Sequence, residues 1–196
     1  MSKEQRILTS DELKLMGSVC NNALERAIFE FLRSSGCRVN EMVNVERQDV
    51  DMEHNEVYLK VTKRKVKWEG DDGAFKSEME PRYAVLDEEA IGALRIYMKT
   101  KNFRPQSRLF PRTTRAVRDM VHRWAREAKI QRPEEVHPHT FRHTRATDLL
   151  AKGVPEAYIL QVLGWSKGST TFRKVYQHAP REVIRDKILK AGHTEG

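Results

Sequence analysis

Cysteine and long apolar runs are scarce in this sequence of 196 residues. Cys20 and Cys37 are its two cysteines, so at most one disulfide could form, which excludes a secreted fold held together by several disulfides. No stretch approaches the ~18 consecutive apolar residues that a membrane-spanning helix requires. The first six residues are mostly polar, unlike a secretory signal. We therefore expect a cytoplasmic protein that has no membrane partner.

Acidic residues are outnumbered by basic ones, 28 Asp and Glu against 36 Lys and Arg, which gives a net charge of +8. This excess favours a polyanionic partner, with nucleic acid ahead of a membrane surface. The positive charge is concentrated in Lys60, Lys63, Arg64, Lys65 and Lys67, and on one predicted helix in Arg115, Arg118, Arg123, Arg126 and Lys129. Solvated faces without a ligand would show the same pattern, because Lys and Arg are mostly exposed in any protein.

Apolar residues recur at helical spacing in most of the chain. Thr9 and Glu12 form a capping-box pattern, which predicts a helix that runs to about residue 19. Gly36 is a natural end for the second helix. The predicted helices span about 10–19, 23–34, 87–101, 115–128, 140–152, 155–163 and 181–190.

A different pattern interrupts the helices between residues 50 and 86. Apolar and polar residues alternate over 57–61, which is typical of a half-buried strand. Turns at 54–55 and 70–73 would join it to strands at 50–52 and 82–86. The sequence predicts an α+β fold that is mostly α-helical, with a small antiparallel three-stranded sheet, in one domain over residues 1–196.

Three polar side chains share one helix face, because His139, Arg142 and His143 stand at positions i, i+3 and i+4. One interpretation is a zinc site, although the zinc-hydrolase pattern needs Glu after the first His, where this chain has Thr140. A second is a purely structural role. The third is an anion site, in which Arg142 binds a phosphate and an imidazole moves a proton beside it.

An anion site without metal ligands or a glycine-rich loop needs more than one cation. Arg38 is a suitable second arginine, because it follows a helix end and Glu41, one turn later, could hold its guanidinium group. Trp165 directly follows the helix-ending Gly164 and could present its indole N–H as a donor.

Four short motifs follow one another along the chain. They are Gly-x-Arg-x-x-Glu at 36–41, His-x-x-Arg-His at 139–143, Leu-Gly-Trp at 163–165, and Ser-Thr-Thr at 169–171 followed by Tyr176. Each is weak alone, but in this order they resemble the catalytic domain of the tyrosine recombinases, also called the phage-integrase family. The resemblance covers nearly the whole chain, from residues 8–13 to the last predicted helix.

The resemblance implies a role for each matching residue. Arg38 and Arg142 would clamp the non-bridging oxygens of the scissile phosphate and stabilise the pentavalent transition state. His139 would assist proton transfer, and Trp165 would hydrogen-bond a phosphate oxygen. Tyr176 would attack phosphorus to give a 3′-phosphotyrosyl link and a free 5′-hydroxyl. No metal or other cofactor would be needed, because the covalent link conserves the phosphodiester energy for rejoining.

The family also uses a lysine of the strand hairpin as general acid on the leaving 5′-oxygen. Lys76 matches the family's spacing to the following strand, which begins at Arg82, and is the preferred candidate. Lys65 matches the distance from the preceding strand and stays as the alternative. The interval between Trp165 and Tyr176 is longer than the family's commonest one.

The resemblance also implies double-stranded DNA as the partner, bound by a homo-oligomer, a tetramer on DNA. DNA contacts are expected from Lys63, Arg64, Lys65, Lys67, Arg115, Arg118 and His143. We expect the family's N-terminal core-binding domain to be absent from residues 1–196, either because the chain is an excised fragment or because it is a natural minimal recombinase. We expect the catalytic domain of a site-specific DNA recombinase or integrase. A type IB topoisomerase-like relaxing enzyme and a non-catalytic DNA-binding protein on a degenerate recombinase fold are the alternatives.

Overall fold

The computed structural model describes residues 6–60 and 81–165. Its helices are α1 Ser10–Ser18, α2 Ala23–Ser35, α3 Val39–Met42, α4 Glu88–Met98, α5 Thr114–Glu127, α6 Pro138–Ala151 and α7 Glu156–Leu163. Its strands are β1 Val50–Asp51, β2 Glu56–Leu59 and β3 Arg82–Val85. The predictions for Lys63, Arg64, Lys65, Lys67, Lys76, Tyr176, the turn at 70–73 and the helix at 181–190 fall outside the described residues.

Side-chain caps set the helix boundaries much as the sequence predicts. The Glu12 backbone N–H donates to Thr9 Oγ1 at 3.2 Å, and the Thr9 N–H donates to Glu12 Oε2 at 2.9 Å, so the predicted capping box is present. α4 ends at Met98, three residues before the predicted end at 101. The Thr100 hydroxyl donates to the Tyr97 carbonyl at 2.7 Å, which gives that carbonyl a local partner in place of the next helical turn.

The three strands form one antiparallel sheet in the order β1-β2-β3. Val57 pairs with Val50 on one side and with Ala84 on the other, and all three side chains are buried. On the opposite face, Tyr58 and Tyr83 pair across the strands with ring centroids 5.3 Å apart. The predicted alternation is confirmed, and with it the mostly helical α+β fold with a small antiparallel sheet.

α2 is the centre of the helical part and packs against α4 and α6. Phe29 of α2 meets Trp124 of α5 and Phe141 of α6 edge to face, with centroids 5.8 and 5.5 Å apart. This contact packs α6 against the middle of α2. Arg142 of α6 then reaches the Gly36 carbonyl at the C-terminal end of α2, where the candidate site lies. Among residues 6–60 and 81–165, no helix has the length and apolar character to cross a membrane.

α5 buries Val117, Val121, Trp124 and Ala125, as its apolar spacing predicts. Four of the five basic residues predicted on its other face are exposed: Arg115, Arg118, Arg126 and Lys129. The prediction is wrong for Arg123, which is half-buried and pairs with Glu25 at 2.6 Å and Glu127 at 3.2 Å. These carboxylates neutralise its guanidinium group, so Arg123 does not contribute to the free basic face.

Candidate active site

The turn between α2 and α3 brings Arg38 and Glu41 together. α2 ends at Gly36, whose φ of 57° reverses the chain, and extended backbone at Arg38 starts α3. The Arg38 backbone N–H donates to Glu41 Oε2 at 2.6 Å, and its Nη1 donates to Glu41 Oε1 at 2.9 Å. The prediction that Glu41 holds the Arg38 guanidinium group is confirmed.

A second guanidinium group, from Arg82 of β3, approaches the same carboxylate. Arg82 Nη1 and Nη2 donate to the two Glu41 oxygens at 2.7 and 2.8 Å, and both side chains are buried. Burial alone would raise the pKa of Glu41, but the hydrogen bonds and charge of Arg82, followed by those of Arg38, outweigh it and lower the pKa to about 2. Glu41 is therefore ionised at any pH near neutrality.

Arg142 of α6 lies in the centre of the site and is only 2% exposed. Its Nη1 donates to the Gly36 carbonyl at 2.8 Å, and its Nη2 donates to the Leu163 carbonyl. Its guanidinium carbon lies 4.8 Å from the centroid of the Trp165 ring, a cation–π contact. Burial, followed by repulsion from Arg38 and Arg82, lowers the pKa of Arg142, although a guanidinium group keeps its proton near neutrality.

The end of α7 connects the three arginines. Its last carbonyls would have no partner within the helix, and each accepts from a different guanidinium group. Arg82 Nε donates to the Val162 carbonyl at 2.8 Å, Arg142 donates to that of Leu163, and Arg38 Nη2 donates to that of Gly164 at 3.1 Å. Cations at this negative end of the helix dipole also stabilise α7. The site is therefore built where α7 and the α2–α3 turn meet.

Gly164 permits this arrangement, and its replacement gives a first prediction. Its φ is 59°, and an added Cβ would lie 3.1 Å from the Arg82 side chain. Gly153 also has positive φ, 81°, but a Cβ there would meet nothing within 4 Å. We expect Gly164→Ala to lower the free energy of unfolding in urea by about 1 kcal/mol more than Gly153→Ala, because both strain the backbone but only one displaces Arg82. Equal losses would contradict a close fit at Arg82.

His139 is exposed at the edge of this cluster, on the first turn of α6. Partial desolvation of its ring, followed by the positive charges of Arg142, Arg38 and Arg118, lowers its pKa. The imidazole is therefore mainly neutral at pH 7 and able to accept a proton.

His143, one turn further along α6, faces Trp165, with ring centroids 6.3 Å apart and an interplanar angle of 29°. Burial, followed by His139 and Arg142, lowers its pKa to about 4, so it is neutral at pH 7. Its Nδ1 is buried without a hydrogen-bond partner among the described residues. A charge-based contact of His143 with DNA therefore has no support in this geometry, and its predicted DNA contact stays a prediction.

Comparison with known proteins identifies the arrangement. The family described as the phage integrase family matches this chain over residues 6–182. The chain belongs to the phage integrase family.

Individual members of the phage integrase family show how far the similarity extends. Tyrosine recombinase XerC of Halalkalibacterium halodurans is 30% identical over 167 residues, which cover 82% of this chain and 52% of the relative. The crystal structure of XerA recombinase superposes with a TM-score of 0.75 at 25% identity, over 97% of this chain and 64% of that one. The Tn1549 transposon integrase in complex with transposon right end DNA has a TM-score of 0.67 at 20% identity, over 94% and 65% of the two chains. The chain spans about half the length of the curated relatives it matches.

Four of the six catalytic residues predicted from the phage-integrase motifs are described, and the fold brings them together. They are Arg38, His139, Arg142 and Trp165. Within the described ranges, no group of three or more His, Cys, Asp or Glu side chains is placed to hold a metal ion.

Arg82 belongs to the site but was not predicted as a site residue from the sequence. The signal that could have found it is its position in the alternating pattern of β3. Arg82 and Ala84 are on the buried face of β3, and a buried charge requires a partner.

Proposed function

We propose that this chain is the catalytic domain of a site-specific DNA recombinase, which cleaves and rejoins DNA strands through Tyr176. The observation that supports this best is the pair Arg38 and Arg142, held beside one another on neighbouring carbonyls at the end of α7. Together with Arg82 and Glu41 they make a cluster with a net charge of +2. A phosphodiester passes through a dianionic pentavalent transition state when an oxyanion attacks it, which such a cluster stabilises.

The proposed reaction assigns each proton and each bond. The Tyr176 oxygen attacks phosphorus and gives its proton to neutral His139, while the bond from phosphorus to the 5′-oxygen breaks. Lys76, or Lys65 as the alternative, protonates the leaving 5′-oxygen. Rejoining is the reverse, with the 5′-hydroxyl displacing the tyrosine. Trp165, packed against the Arg142 guanidinium group, would contribute its indole N–H to a phosphate oxygen.

The proposed substrate is double-stranded DNA, bound by a tetramer of this chain in the cytoplasm. The relatives named above support it, because two are recombinases and a third is an integrase in complex with DNA. The exposed Arg115 and Arg118 of α5 support it independently, since Arg118 acts electrostatically on His139 and so lies on the side of the site. A core-binding domain outside residues 1–196 would contact the opposite side of the DNA.

The proposed function is tested with a nicked suicide DNA substrate in the presence of a chelator. Cleavage releases a short 5′-hydroxyl strand that diffuses away, so the protein is trapped on the 3′-phosphate. We expect a covalent protein–DNA band on a denaturing gel. DNA binding without a band would identify a non-catalytic binder. Relaxation of supercoiled plasmids that lack any recombination site would favour the topoisomerase alternative.

Salt dependence provides a prediction for the DNA-binding face. If the protein neutralises about five DNA phosphates, a plot of log K, where K is the association constant for DNA, against log[salt] should have a slope near −4 to −5. Replacing both Arg115 and Arg118 by Gln should make this slope shallower by about 2 and weaken all DNA sequences alike. Arg123→Gln is the matched control on the same helix, because its guanidinium group is already paired with Glu25 and Glu127. An unchanged slope in the double variant, measured by fluorescence anisotropy, would remove α5 from the interface.

A further inference from the structure

Arg82 is the third arginine of the site and has no role in the proposed reaction. It is 8% exposed and uses three of its nitrogens on the protein, two on Glu41 and one on the Val162 carbonyl. A bidentate pair of this kind is the strongest form of contact between a guanidinium group and a carboxylate. All three nitrogens of the Arg82 guanidinium group therefore donate to the protein, so we do not assign Arg82 to substrate binding.

The consequence for Arg38 lies in how the Glu41 carboxylate is shared. Arg82 places one N–H on each Glu41 oxygen, whereas the Arg38 side chain reaches that carboxylate with Nη1 alone and turns Nη2 to the Gly164 carbonyl. The second Arg38 contact with Glu41 comes from its backbone N–H, on Oε2. Without Arg82, each Glu41 oxygen would have room for an N–H of the Arg38 fork, Oε2 beside the Arg38 backbone N–H that it already accepts. A buried carboxylate attracts the nearest cation strongly, because both lose most of their hydration.

The charge balance points in the same direction. Glu41 compensates one of the three guanidinium groups, and among the described residues it is the one carboxylate that pairs with this cluster. Its bidentate partner is Arg82, so the charges of Arg38 and Arg142 are left for an anion. Loss of Arg82 would reduce the cluster from +2 to +1 and assign Glu41 to Arg38.

We propose that Arg82 is a positioning residue, which holds Glu41 and the Val162 carbonyl. Because Glu41 then has Arg82 as its bidentate partner, the positive charge of Arg38 and a free N–H edge are left for the scissile phosphate. The expected effect on DNA cleavage rests on the proposed function. The expected effect on the contacts between Arg38 and Glu41 does not depend on it.

The first arm of the test measures single-turnover covalent attachment to the suicide substrate. Arg82→Met should slow attachment at least ~10-fold, a smaller loss than removal of a direct oxyanion donor causes. Arg82→Lys keeps the charge but binds one oxygen only, so it should slow attachment less. If the Met variant does not fold, the Lys variant still decides, because normal attachment by Arg82→Lys would overturn the need for a fork. Arg33→Met is the matched control, since Arg33 is half-buried and, like Arg82, pairs with carboxylates, here Glu30 and Asp87 away from the site.

The second arm separates positioning from a purely structural role. In the double variant Arg82→Met, Glu41→Gln, the neutral amide no longer captures Arg38 and the net charge of the cluster returns to +2. We expect the double variant to attach to DNA faster than Arg82→Met alone. If Arg82 only stabilised the fold, the second substitution would leave attachment equally slow or slower, and that result would overturn the proposal.

A crystal structure of Arg82→Met, or of Arg82→Lys if the Met variant does not fold, tests the inference without relying on any reaction. We expect both Arg38 Nη atoms on Glu41 and the contact with the Gly164 carbonyl broken. An Arg38 side chain unchanged from its present position would overturn the proposal. If the parent protein forms no covalent band but this shift occurs, the proposed function fails while the role of Arg82 in holding Arg38 stands.

Discussion

Tyr176→Phe should abolish covalent attachment to DNA and leave DNA binding unchanged. The substitution removes one oxygen atom, the proposed nucleophile, and keeps the ring. The phosphate clamp of Arg38 and Arg142 is intact in this variant, so the affinity that depends on charge persists. Attachment is measured as the band on a denaturing gel, and binding as a shift on a native gel under the same salt conditions.

Tyr158→Phe is the matched control for the nucleophile. Tyr158 lies on α7 and is 60% exposed, so loss of its hydroxyl group should change neither attachment nor binding. A band of parental intensity from Tyr176→Phe would show that another group attacks phosphorus. A loss of the band in both variants would point to a general effect of removing a tyrosine hydroxyl group.

Arg38→Ala and Arg142→Ala should each slow cleavage at least ~10², the effect of losing a principal oxyanion donor. Lysine at either position should recover little of this rate. The structure supplies the reason, because each guanidinium group is fixed through both of its Nη atoms. Arg142 uses them on two carbonyls, Arg38 uses them on one carbonyl and Glu41, and the remaining N–H groups would bind phosphate. The three donors of an ammonium group on a flexible stem cannot reproduce that planar geometry.

The control for the arginine series is Arg145→Lys, one turn from Arg142 on α6. Arg145 pairs with Asp148 at 3.1 Å, a contact that lysine can keep. Its cleavage rate should match that of the parent. Near-normal cleavage by Arg142→Lys would mean that this position supplies charge alone, and the proposed bidentate clamp would have to be abandoned there.

Local signals in the sequence were sufficient for most of the helices. The Thr9–Glu12 capping box, the end of α2 at Gly36 and the buried stripe of α5 depend on residues a few positions apart, and each is found where the sequence predicts it. α3 was not predicted, because four residues are too few to show a helical period. The predicted end of α4 was wrong because the Thr100 hydroxyl competes for a helix carbonyl.

In the candidate site too, contacts between residues close in sequence could be predicted, whereas contacts between distant residues could not. Arg38 and Glu41 are three residues apart, so their contact could be inferred from the sequence. The Arg82 contact with Glu41 joins residues 41 positions apart, and the Arg142 contact with Gly36 joins residues 106 positions apart. Contacts at such separations depend on how helices and strands pack, and no local pattern specifies them. Motif order could therefore assign members to the site but could not show which arginine holds which carbonyl.

The uncompensated charge of Arg38 and Arg142 has a thermodynamic consequence for the free protein. The buried guanidinium group of Arg142 and the partly exposed one of Arg38 lie on adjacent carbonyls and repel each other, which makes folding less favourable when no anion is present. An anion that binds the folded state and not the unfolded chain shifts the folding equilibrium toward the native state by mass action. Occupancy of the phosphate site and global stability are therefore linked, so the affinity that the arginines give for a phosphodiester has a cost in the stability of the unbound domain.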